Sequence, residues 1–164
     1  MFIEISRDKG KPVGIDLSKP PYADEGLTLA ILGNKGSGKS NLLGLLAEQA
    51  DSHGLPFIFF DVNGDATSLR ELGAHVRIVG DPENPLHPTR RAHFSLAQAI
   101  SNPNLFVDMV LREERSLVVD LSYSDQVEEP LWAFERLASA HFKMAGRLRK
   151  PVMVVVDEAQ RLAP

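Results

Sequence analysis

The residues Gly33-Asn34-Lys35-Gly36-Ser37-Gly38-Lys39-Ser40 fit the pattern G-x-x-x-x-G-K-[ST], a loop built to hold phosphate. Each position has a physical reason. Glycines let the backbone curl so that successive N–H groups converge on one cluster of anionic oxygens. A helix starting at Lys39 adds its own unpaired N–H groups and partial positive charge. Lys39 can reach the β- and γ-phosphates of a nucleotide, and the Ser40 hydroxyl can sit on a Mg²⁺ ion. Asn34, Lys35, Gly36, Ser37, Gly38, Lys39, Ser40 and Asn41 are therefore the candidate nucleotide-binding residues.

Such a loop needs an acid from elsewhere to hold the metal. Three apolar runs end in aspartate: Phe59-Phe60-Asp61, Val118-Val119-Asp120 and Val154-Val155-Val156-Asp157. Acids at strand C-terminal ends lie on the side where open α/β sheets bind ligands, although turn or cap roles are common there too. The residue next to each aspartate separates the three. Glu158 comes directly after Asp157, so the first acid can serve the metal and the second can orient and deprotonate an attacking water. Ser40 and Asp157 are the metal candidates, and Lys39 and Glu158 the catalytic ones. Asp61-Val62-Asn63-Gly64 also fits D-x-x-G, which contacts the γ-phosphate region in GTPases. A GTP switch is a rival reading, weakened because no N-K-x-D element lies downstream.

These residues need elements to position them. Leu27 to Leu32 reads as a buried strand running into the loop, and Leu42, Leu43, Leu45, Leu46 and Ala50 as a helix from about Lys39 to a stop at Gly54. Further strands are expected at Leu55 to Asp61, His75 to Val79, Ser116 to Leu121 and Val152 to Val156, with a helix at Ser95 to Ile100. Pro130 suits a first helical turn, followed by an apolar stripe of Leu131, Phe134, Ala138, Phe142, Ala145 and Leu148. Before all this, Phe2, Ile3 and Ile5, then Val13, Ile15 and Leu17, alternate as a short hairpin. Residues 1–22 are thus a β lead-in and residues 23–164 the core. Strands alternating with helices mean an α/β fold with a mostly parallel sheet flanked by helices.

Composition narrows the class. The chain has 164 residues, of which 24% are charged and 43% hydrophobic, ordinary globular usage for one domain. A net charge of −4 gives no overall basic field, so any nucleic-acid contact must be a local patch. The absence of cysteine excludes a disulfide framework, a cysteine zinc finger and a thiol nucleophile. No apolar run is long enough to span a membrane, and the N-terminal residues read as neither signal nor transit peptide. A cytoplasmic location without membrane attachment is the expectation.

Taken together, the loop with Asn41, the turn Asp61-Val62-Asn63-Gly64-Asp65, and Val156-Asp157-Glu158-Ala159-Gln160-Arg161-Leu162-Ala163-Pro164 resemble the HerA/FtsK-like P-loop ATPases. The resemblance runs from about Val13 to Pro164. It implies a RecA-like P-loop NTPase fold, Mg·ATP as ligand, and hydrolysis that drives DNA translocation or unwinding. It also implies a homo-oligomer, most often a hexamer, and a nuclease partner. The family carries a further strand with a polar sensor and an arginine finger beyond the acidic pair. Neither motif is in this sequence, so the core is expected to lack its C-terminal strands and to leave a gap in the sheet. A nucleotide-binding regulatory or assembly module with negligible turnover is the alternative.

Other features have plainer readings. Arg90-Arg91 with His93, Arg112 to Arg115, and Arg147-Arg149-Lys150 are candidate DNA contacts, but a solvated loop, interleaved acids and helix-end electrostatics account for them respectively. The five histidines have no ligand spacing and read as surface or capping residues, and Trp132 and Phe134 as core.

Overall fold

A computed structural model describes residues 2–19, 27–83, 92–124 and 126–162. Strands β1 (Phe2–Asp8) and β2 (Lys11–Asp16) form an antiparallel hairpin turned at Lys9 and Gly10. It is tied to helix α1 (Lys39–Ser52) by Gln49, whose amide accepts from Glu4 N and donates to Glu4 O, both at 2.7 Å.

The main sheet contains β3 (Phe57–Asp61), β4 (Val76–Val79), β5 (Ser116–Asp120) and β6 (Met153–Val156) in the order β4-β5-β3-β6, all parallel. The chain is α/β, as the alternation of apolar strands and helical stretches implies. Alternate side chains of β3 feed two different cores. Phe57 and Phe59 pack with Ala47 of α1 and with Ala66 and Leu69 of the 3-10 stretch Asp65–Leu72. Ile58 and Phe60 pack against α2 (Leu96–Ser101), α3 (Pro103–Leu111) and α4 (Glu129–Leu148) through Leu96, Phe106, Val110, Ala133 and Leu137. A strand buried on both faces reads as a continuous apolar run, which is why Phe57–Phe60 shows no alternation.

Two expectations are overturned, one of them in part. Leu27–Leu32 is not a strand: it pairs with no strand among the described residues, and Leu32 is 91% exposed. A strand needs a hydrogen-bonded neighbour, and among the described residues β6 has one only on its β3 side. A cavity of about 1800 Å³ is lined by both Leu27–Leu32 and β6. Helix α4 follows its expected stripe only in part, with Phe134 and Leu148 packed against the core. Ala133, Leu137 and Ala140 are fully packed, whereas Leu131 is exposed, Phe142 is 86% exposed and Trp132 is 44% exposed. Small residues let the helix approach its neighbours closely, so the large apolar side chains on its other sides are left outside. Phe134 does pack, edge-on to Phe60 with ring centroids 4.9 Å apart. The apolar segment Pro103–Leu111 forms a helix that the sequence pattern leaves unassigned.

Candidate nucleotide site

The loop forms as its glycines demand. Gly36 and Gly38 take φ of 82° and 88°, left-handed values that other residues adopt only with strain. A Cβ at Gly33 would meet Ser37 Oγ at 2.5 Å, so the serine side chain would have to turn away. The Lys39 ammonium donates to the carbonyl oxygens of Gly33 (2.9 Å) and Asn34 (3.1 Å), and Ser37 N donates to Asn34 O at 3.1 Å. Lys35, Gly36, Gly38, Lys39, Ser40 and Asn41 line the large cavity. Asn34 and Ser37 do not; Ser37 N donates to Asn34 O across the turn.

The three strand-ending aspartates separate cleanly. Asp120 is buried, and its Oδ1 accepts from Ser122 N (3.0 Å) and Ser122 Oγ (2.6 Å). Asp61 is buried as well, and its carboxylate accepts from the backbone N–H groups of Asn63 (3.1 Å), Gly64 (2.9 Å) and Ala66 (2.6 Å). Burial pushes the Asp61 carboxyl up to about 6, against the pull of those N–H donors and with a smaller push from the Asp120 charge. Asp61 and Asp120 are opposite one another in the β3–β5 ladder. Of the three, only Asp157 lines the cavity.

Asp157 is where distant segments meet. Its backbone N–H donates to Phe60 O at 3.0 Å, which carries on the β3–β6 pairing. Its Oδ1 accepts from Glu158 N at 2.9 Å. Its Oδ2 accepts from Ser40 Oγ at 3.1 Å and from Asn63 Nδ2 at 3.4 Å. Glu158 sits in the left-handed region at φ 50°, lines the same cavity, and its carboxylate accepts from the Gln160 side-chain amide.

The donor set fits Mg²⁺. Among the described residues no three of His, Asp and Glu converge to hold a metal by themselves. Mg²⁺ typically takes one or two protein oxygens and completes its shell with water and substrate phosphate. Ser40 and Asp157, already in contact, are such a pair.

The sequence shows Asn63, Asp65 and Gln160 only as members of the matching motifs and gives them no site role, yet all three line the cavity. The D-x-x-G pattern was the available signal, but it marked Asp61, whose carboxylate is consumed in folding the turn. Basic candidates fare less well. Arg112 pairs with Asp108 at 2.7 Å, Arg115 with Glu113 at 2.9 Å and Lys150 with Glu114 at 3.2 Å. Arg90 and Arg91 lie outside the described residues. His93 is not a free surface group: its Nδ1 accepts from Ile78 N at 2.9 Å, and burial, then Arg70 and Arg77, hold its pKa below the ordinary value. His141 is likewise partly buried, and burial lowers its pKa.

A glycine-rich loop leading into a helix, opposed by an acid from the end of a parallel strand, defines a P-loop NTPase. The family model described as "Helicase HerA, central domain" matches residues 26–109, half of the chain, and the chain belongs to that family. No curated protein and no solved structure matches it. None of the helices among the described residues is long and apolar enough to cross a membrane.

Proposed function

We propose that the chain binds Mg·ATP in the cavity between the loop and β6, and that it hydrolyses ATP to drive movement along DNA as part of a homo-oligomeric assembly. The observation that carries this reading is the contact between Ser40 Oγ and Asp157 Oδ2, which joins the two metal candidates across 117 residues of sequence. Family membership supports ATP as the nucleotide.

The roles rest on placement. Loop N–H groups and the Lys39 ammonium hold the phosphates, and Ser40 and Asp157 hold the cation. Bound Mg²⁺ supplies neutralisation of charge on the phosphate oxygens. Glu158 orients the attacking water and accepts its proton on the carboxylate. The D-x-x-G turn gives no support to a GTP switch here, because Asp61 is turned inward onto the backbone.

Titration with a fluorescent ATP analogue tests the binding half. Lys39→Ala removes the side-chain cation the motif directs at the phosphates, a charge-assisted contact worth about 1.5–3 kcal/mol, so affinity falls by about tenfold or more. Equal affinities would refute the site. Turnover that rises with added DNA separates a motor from a binding module. Sedimentation across a concentration series reports the assembly.

A further inference from the structure

The turn after β3 holds neither phosphate nor cation in the proposed site, yet it reaches the metal candidates. Asp61 pins it through three backbone N–H groups, and Gly64 makes the reversal possible at φ 84°. Thr67 Oγ1 adds a bond to Gly64 O at 3.1 Å. All of these bonds involve the turn's backbone, so the Asn63 side chain is not needed to form it. That side chain is exposed, and instead of pointing into solvent it crosses from the end of β3 to the end of β6, placing Nδ2 3.4 Å from Asp157 Oδ2. The oxygen it meets is the one that also accepts from Ser40 Oγ.

We propose that Asn63 is a positioning residue for the metal site: its amide holds Oδ2 of Asp157 against the Ser40 hydroxyl. A carboxylate at a strand end can rotate about its side-chain bonds, and fixing it by an outer hydrogen bond removes that freedom before the cation arrives. An amide suits this task because it donates without adding charge, so it orients the carboxylate without competing with a cation as lysine does. The rigid 61–66 turn makes the amide's own position fixed. This role rests on the Mg·ATP reading of the site.

The test is binding, not turnover. A fluorescent ATP analogue is titrated with Mg²⁺ against wild type and Asn63→Ala, with thermal unfolding by circular dichroism in parallel. Loss of an outer hydrogen bond to a metal ligand weakens metal binding by about 10–100-fold, and for this long contact we expect the low end, about tenfold more Mg²⁺ for half-saturation. Metal-free nucleotide binding and the unfolding midpoint should not change. If Asn63→Ala fails to fold, Asn63→Ser, too short to span the gap to Asp157, gives the same reading. An unchanged Mg²⁺ requirement, or a lower unfolding midpoint with no Mg²⁺ effect, overturns the positioning role alone. If wild type itself shows no Mg²⁺-dependent binding, the Mg·ATP reading fails and the role of Asn63 fails with it.

Discussion

The centre and the edge of the sheet are built from similar residues and behave differently. In β3 and β5 every residue is buried, with partner strands on both sides and helices on both faces. At β6, equally apolar in sequence, only one edge is paired among the described residues and Val154 is 44% exposed; Leu27–Leu32 forms no ladder with them. Apolar composition therefore states a capacity for burial, and neighbours decide whether it is realised. The nucleotide candidates lie on the less complete side, with Asp157 as the link back to the centre through its bond to Phe60.

The sharpest way to break this comparison is stability. Phe60→Ala deletes a fully buried ring at the centre and is expected to cost about 3–5 kcal/mol. Val154→Ala, at the open edge, should stay below about 1 kcal/mol. Urea unfolding of both variants checks the pair; similar losses would mean the edge is as well packed as the centre.

Chemistry at the edge comes next. In a preparation that turns over ATP, Glu158→Gln should retain nucleotide binding and lower kcat by about 10²–10⁴-fold, because the amide cannot take the proton. Stability should change little, since glutamine keeps the size of the half-buried Glu158 side chain. Intact turnover would move the base elsewhere, with Asp65 the cavity-lining acid to mutate first.

The smallest effect belongs to the centre's own charges. Asp61 titrates at about 6 against an ordinary 3.8, so the folded chain keeps a proton that the unfolded chain releases. Its contribution to stability consequently falls as pH rises from about 4 to about 6 and stays low above that. Removing the like charge with Asp120→Asn should lower the Asp61 midpoint, read by carboxyl NMR. An upward shift would contradict the burial-and-repulsion account.

Much of this was legible beforehand. The loop, its helix and four parallel strands announce themselves through glycine spacing and apolar runs bounded by turns. The loss of Leu27–Leu32 as a strand was not, because ladder partners are contributed by remote segments. The buried face of α4 was only partly legible because periodicity favours large side chains, while Ala133 and Ala140 are buried beside Leu137. Asn63 is only a variable position in D-x-x-G; its contact with Asp157 spans 94 residues, which no local pattern reports.

The central claim is that Ser40 and Asp157 hold a cation for a nucleotide bound at the loop. Its most direct test is the affinity of a fluorescent ATP analogue with and without Mg²⁺, for wild type and for Asp157→Asn. The account predicts tighter binding with Mg²⁺ in wild type and loss of that enhancement in Asp157→Asn, with metal-free binding largely preserved. An equal Mg²⁺ enhancement in the two proteins would contradict it.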